Sequence, residues 1–64
     1  MPLYLAAARH QARLSQKDAA EKLGISKNTL SNYELYKTKP GMEMGQRIAS
    51  LYGMTVDEIK WSED

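Results

Sequence analysis

The chain has 64 residues, no cysteine and one histidine, which bounds it to one small domain, residues 1–64, with limited burial. No disulfide and no thiolate zinc site can form, and His10 alone argues against a multi-histidine metal site or a Ser-His-Asp hydrolase. The net charge of +1 is uneven: residues 1–40 hold seven Lys and Arg against three Asp and Glu (+4), residues 41–64 two against five (−3), which fits a basic face for a polyanion with an acidic end turned away.

No segment alternates apolar and polar residues as a strand does, and Ala, Leu, Glu, Lys and Gln dominate, which favours helix. Breakers at Gly24, Pro40-Gly41 and Gly53 divide the chain into short helices. The first is expected from about Leu3 to Arg13, with Pro2 in its first turn, where a missing N–H does no harm. Leu5, Ala8, Arg9 and Ala12 share one face of it, and Arg9 on that apolar stripe needs a partner because a lone buried charge is expensive. The second helix follows Ser15, where "SQKD" is a variant of the capping box. Ala19, Ala20 and Leu23 face inward, and Gly24 can take the left-handed conformation that ends a helix. Only Gly24 and Ile25 separate it from Ser26, the cap of the third helix, so the two must cross steeply over a small residue, Ala20. Ile25, Leu30 and Tyr33 pack inward from there, leaving Lys27, Asn28, Ser31 and Asn32 on the outer face. A fourth helix is expected from about Met42 to Tyr52, with Met42, Ile48, Ala49 and Tyr52 inward and Gly45 as a weak point. "TVDE" at Thr55–Glu58 is a capping box for a short fifth helix carrying Val56 and Ile59. Residues 61–64 are expected to be a frayed tail. No apolar run approaches the roughly 20 residues that cross a bilayer, and no signal-peptide pattern is present, so a cytoplasmic protein without a membrane partner is expected.

A helix, a tight glycine turn and a second helix with a polar outer face describe a helix-turn-helix, here over residues 15–35. The stretch "LSQKDAAEKLGISKNTLSNYELYKTKP" resembles the core of the lambda-repressor-like family, which includes the phage Cro proteins and the Xre-type regulators. The likeness rests on Gln16 at the start of the second helix, Ala20 within it, Gly24 in the turn and Ser26 as the cap. It continues through Leu30, Tyr33-Glu34 and a basic loop, Lys37 to Pro40. "IASLYGMTVDEI" is similar to the family's fourth and fifth helices, so the resemblance covers about residues 3–60.

The resemblance implies an all-α, compact five-helix DNA-binding domain whose third helix lies in the major groove. Lys27, Asn28 and Asn32 match base-reading positions: lysine can donate to guanine O6 and N7, asparagine can pair with adenine N6 and N7. Thr29 could offer its methyl to a thymine, and Ser31 could reach a base or a phosphate. Gln16 matches a phosphate contact at a helix N-terminus, with Ser15 and Lys17 assisting. Lys37, Thr38 and Lys39 match a loop that grips the backbone beyond the recognition helix. Arg9 and Glu34 match an ion pair joining the first helix to the third. Met54, Val56 and Trp61 are candidates for a dimer contact.

Two positions depart from the family. Gly45 stands where an inward leucine is common, so another side chain must fill the space or the core is thinner. Tyr36 stands near the usual glycine of the turn, and a tyrosine at positive φ is costly. A longer recognition helix or a turn shifted by one residue is therefore expected, either of which could bring the Tyr36 hydroxyl to a phosphate. The function implied is a sequence-specific repressor of Cro or Xre type. It would bind a pseudo-palindromic operator in double-stranded DNA as a homodimer, with half-sites roughly 34 Å apart. No cofactor, no small-molecule ligand and no enzymatic activity are expected. An antitoxin or a restriction-modification controller would use the same fold, and a module that binds another regulator is the reading from a different class.

Overall fold

The computed structural model describes residues 1–63. Four α-helices carry the fold: α1 (Leu5–Gln11), α2 (Gln16–Leu23), α3 (Lys27–Glu34) and α4 (Met42–Leu51). The expected fifth helix is a 3₁₀ turn at Val56–Glu58, followed by a two-residue strand. Leu3–Tyr4 (β1) and Ile59–Lys60 (β2) form a parallel pair, in the register Leu3–Ile59 and Tyr4–Lys60. The expectation of five helices and no strand is corrected at both chain ends for one reason. The Thr55 capping box does form, with the Glu58 carboxylate accepting from the Thr55 N–H at 2.8 Å. Three helical residues are too few to sustain a helix without packing, and pairing with Leu3 draws Ile59 into extended backbone (φ −113°, ψ 139°). The same pairing keeps Tyr4 extended, so α1 begins at Leu5 rather than Leu3.

The core comprises Leu5, Ala8, Ala19, Ala20, Leu23, Leu30, Ile48, Ala49, Tyr52 and Ile59. Four of these ten are alanines, which lets short helices approach closely. Met42 does not join them: it is 83% exposed. The inward stripe of α4 starts at Gly45, because the Trp61 indole covers that glycine and leaves Met42 on the rim of an open groove. Trp61 is held by its Nε1–H, which donates to the Val56 carbonyl at 2.9 Å. Trp61 is therefore packed rather than frayed, whereas Ser62 and Glu63 are exposed; the three face Tyr36–Lys39 across a shallow cleft. Asp64 lies outside the described residues.

All four helices end in the same way. Arg13, Gly24, Tyr36 and Gly53 adopt left-handed backbone, with φ of 61°, 73°, 59° and 71°. Each donates its N–H to the carbonyl three residues back, and the residue after each donates to the carbonyl five back: Leu14 to Arg9, Ile25 to Ala20, Lys37 to Asn32, Met54 to Ala49. This is the Schellman motif, which favours glycine at the left-handed position and an apolar residue after it. The exit of α3 departs from both preferences, with Tyr36 in place of glycine and Lys37 in place of an apolar residue. No longer helix and no shifted turn occurs; the tyrosine itself takes the strained conformation.

A left-handed non-glycine residue costs about 1–2 kcal/mol. The Tyr36 side chain supplies the compensation. Its hydroxyl accepts from the Leu5 N–H at 3.0 Å and donates to the Lys60 carbonyl at 2.8 Å. Leu5 opens α1, and Tyr4 gives no side-chain cap, so the phenol caps that helix from 31 residues away. The ring packs against Tyr4 with centroids 6.1 Å apart, tilted by 59°. Two hydrogen bonds at about 0.5–1.5 kcal/mol each and an aromatic pair of similar size exceed the backbone strain. This places the hydroxyl inside the fold rather than at a phosphate, contrary to the expectation for Tyr36.

Arg9 finds the partner its position demands. Its Nε donates to Glu34 at 2.7 Å, its Nη2 to the other carboxylate oxygen at 3.3 Å, and its Nη1 to the Leu14 carbonyl at 2.9 Å. The two side chains are 10% and 6% exposed. Removing one member of such a buried pair costs about 3–5 kcal/mol, because the other is left uncompensated. Tyr52 packs close enough to sense both charges. Burial, and secondarily the Glu34 carboxylate, push its phenol from 10.0 up to about 12, with Arg9 opposing. Among the described residues its Oη is the one buried side-chain polar atom without a hydrogen-bond partner.

A Cβ on Gly45 would meet the Trp61 ring at 3.7 Å, ordinary contact distance. Gly45→Ala should therefore raise stability by about 0.5–1 kcal/mol through helix propensity, read as a higher Tm in thermal unfolding. Gly45→Leu should lower it by about 1–3 kcal/mol, since the branch beyond Cβ must displace the indole. Tyr52 gives a pH prediction. The phenol is neutral in both states below pH 10; between pH 10 and about 12 the unfolded chain ionises first, so stability falls as pH rises through that window. Tyr52→Phe should match or exceed the parent near neutral pH and lose less stability by pH 12 in denaturant titrations. Parallel losses in both proteins would remove the phenol as the cause.

Candidate nucleic-acid interface

The turn between α2 and α3 is set by local chemistry. The Ser15 hydroxyl accepts from the Asp18 N–H at 3.0 Å, and the Ser26 hydroxyl accepts from the Thr29 N–H at 3.0 Å. Each serine stops the preceding chain and starts a helix. Between them Gly24 reverses the backbone, and the buried Ala20 and Leu30 pack where the two helices meet. Arg47 adds a tie from α4, its Nη2 donating to the Leu23 carbonyl at 3.0 Å, where the helix dipole favours a cation.

This arrangement presents the polar face of α3. Lys27 and Asn28 are exposed, and Ser31 and Asn32 are half-buried. Residues 28, 31 and 32 are three and four apart, so they share one face. The Thr29 hydroxyl is 2.8 Å from the Ser26 hydroxyl and is engaged within the cap, which leaves its methyl as the group free for contact. Asn32 has a second function in the fold: its backbone carbonyl accepts the Lys37 N–H at 3.0 Å and closes the exit turn. Lys37, Thr38 and Lys39 follow immediately and are exposed. The Thr38 N–H also points to this carbonyl, at 3.5 Å, so the polar helix face and the basic loop are joined through the Asn32 main chain.

On the other side, Ser15 and Lys17 are exposed and Gln16 is half-buried at the first turn of α2. Gln16 Nε2 donates to the Glu34 carboxylate at 2.9 Å, a partner that its sequence position alone does not reveal. Only the nitrogen of the amide can face a carboxylate, so the bond fixes which way the amide points. It occupies one of the two N–H groups and leaves the second. Glu34 therefore binds α1 through Arg9 and α2 through Gln16 while ending α3. The serine cap satisfies one backbone donor at the start of α2; the remaining first-turn donors have no intrahelical acceptor.

The three residues expected at a dimer contact are not brought together. Trp61 and Val56 line an open, mainly apolar groove with Met42, Gly45 and Pro40, and Lys39 stands on its rim. Met54 lines a separate depression with Met1, Leu3 and Gln11. Among the described residues no cluster of three or more His, Asp or Glu could hold a metal, and no helix is long and apolar enough to cross a membrane.

Two known proteins are similar to this chain in sequence. The chain is 42% identical over 52 residues to the HTH-type transcriptional regulator ImmR of Bacillus subtilis (strain 168), covering 81% of this chain and 41% of that protein. It is 35% identical over 51 residues to the uncharacterized HTH-type transcriptional regulator MJ0272 of Methanocaldococcus jannaschii, covering 80% of this chain and 77% of that one. The chain therefore spans less than half the length of the first relative and most of the second. No solved structure gives a significant match. The helix-turn-helix family's sequence profile matches residues 5–59, which runs from the start of α1 to the first residue of β2. The chain belongs to the helix-turn-helix family.

Proposed function

We propose that this protein is a transcriptional regulator that binds double-stranded DNA sequence-specifically, with α3 in the major groove. The observation that carries the reading is the α3 face itself. Lys27, Asn28, Ser31 and Asn32 stand on a helix rigidly capped at Ser26, next to an exposed basic loop. Lys27, Asn28 and Asn32 read base edges by hydrogen bonding, the Thr29 methyl meets a thymine, and Ser31 reaches a base or a phosphate. The backbone is gripped on both flanks. Ser15, Gln16 and Lys17 hold one phosphate at the start of α2, with the Gln16 amide oriented by Glu34. Lys37, Thr38 and Lys39 hold another beyond α3.

The protein acts as a Cro- or Xre-type repressor in the cytoplasm. It occupies a pseudo-palindromic operator as a dimer and excludes polymerase. The apolar groove of Met42, Val56 and Trp61 supports dimerisation, since such a groove is rarely left open to water. Half-sites lie roughly 34 Å apart, one helical turn. The contacts need neither a cofactor nor a small-molecule ligand, and the site carries no catalytic step.

Selection from a random duplex pool identifies the preferred site, and two variants then separate the roles. Asn32→Ala should weaken that site by about 1–3 kcal/mol and leave binding to random duplex nearly unchanged. Lys39→Ala should weaken both about equally and flatten the dependence of log K on log salt by about 1. Equal losses on both duplexes for Asn32→Ala would remove it from the base-reading set. Absence of any DNA binding by the parent at low salt would remove the proposal.

A further inference from the structure

We infer that Tyr36 is a positioning residue for the Lys37–Lys39 phosphate clamp, fixing it to the paired chain ends through one hydroxyl. The inference rests on the DNA-binding reading proposed above. Of the four helix exits, only that of α3 has neither a glycine at its left-handed position nor an apolar residue after it. At the other three exits Leu14, Ile25 and Met54 pack against the core and anchor the departing chain. At the exit of α3 that place belongs to Lys37, an exposed cation, so the anchor must come from elsewhere.

It comes from Tyr36. The phenol reaches across to the Leu5 N–H at 3.0 Å and the Lys60 carbonyl at 2.8 Å, bridging the start of α1 and β2. The ring lies against Tyr4, and the Lys60 ammonium is 4.9 Å from the Tyr4 centroid. Tyr4 and Lys60 are also paired in the strand register. One residue thereby fixes the direction in which the backbone leaves α3 and binds it to both ends of the chain. A glycine would permit the same turn without holding it. An unanchored loop would pay ordering entropy on each phosphate contact, whereas this one meets the backbone already placed. The bulky residue at the strained position thus holds the turn from which the exposed Lys37 departs.

The test uses a random-sequence duplex and the full chain, at a temperature where circular dichroism shows each variant folded. Tyr36→Phe keeps the ring and loses both hydrogen bonds; Tyr36→Gly keeps the turn and loses every tie. Each should bind about 3- to 10-fold more weakly at low salt, and the slope of log K against log salt should flatten by about 1–2, the loss of one or two phosphate contacts. Asn32→Ala, which alters the helix face alone, should keep the parental slope. A folded Tyr36 variant with the parental slope would overturn the inference and show Tyr36 to be structural only. Should neither variant fold, backbone relaxation of the parent decides. Order parameters for Lys37–Lys39 near the rigid-backbone value of about 0.85 support a pinned clamp, and values below about 0.6 overturn it. If the parent binds no duplex at low salt, the DNA reading fails and the inference fails with it; steep parental salt dependence with unchanged variants defeats the inference alone.

Discussion

The Glu34 carboxylate is the constraint on which the helical body depends. It sits at the last turn of α3 and receives Arg9 from α1 and Gln16 from α2. Each of these helices is only seven or eight residues long, too short to be stable alone. Apolar packing holds them together, but packing of alanines and leucines specifies angle loosely. A bidentate ion pair with a third hydrogen bond specifies it closely, because every donor has one direction in which it is satisfied. The angle between α2 and α3 determines how far the polar face of α3 stands out from the body. The buried network is therefore the link between the core and the surface that would meet DNA.

A second constraint closes the fold at its ends. Parallel strands require a long crossover, and here the whole helical body is that crossover. Two residues per strand form a weak ladder. The Tyr36 phenol reinforces it by taking the first free N–H of α1 and a carbonyl of β2. Strain at one backbone position is thus exchanged for cohesion among three elements that are distant in sequence.

Much of this was legible in the sequence, for reasons that are local. The caps at Ser15, Ser26 and Thr55, the reversal at Gly24 and the inward stripe of α2 all follow from interactions within five residues. Arg9 was legible too, since a charge on an apolar stripe implies a buried partner. What could not be read was non-local. β1 and β2 show no alternation because two residues are too few to display it, and their pairing depends on bringing residues 3 and 59 together. The exposure of Met42 depends on where Trp61 ends, and the cover of Gly45 depends on an indole 16 residues away. At Tyr36 the anomaly is legible but its remedy is not. The sequence shows the strain of a tyrosine in a left-handed turn, whereas its compensation comes from Leu5 and Lys60. In the proposed DNA-binding surface, the polar face of α3 is evident from spacing, but the orientation of Gln16 by Glu34 is not.

The central claim is that α3 and its two flanks form one DNA-facing surface. The most direct measurement is amide chemical-shift mapping of the isotopically labelled protein, titrated with a duplex two helical turns long. The largest shifts should fall at Lys27–Asn32, with further clusters at Ser15–Lys17 and Lys37–Lys39, and little change along the exposed side of α4. Shifts confined to Met42, Val56 and Trp61, or an unperturbed α3, would contradict it.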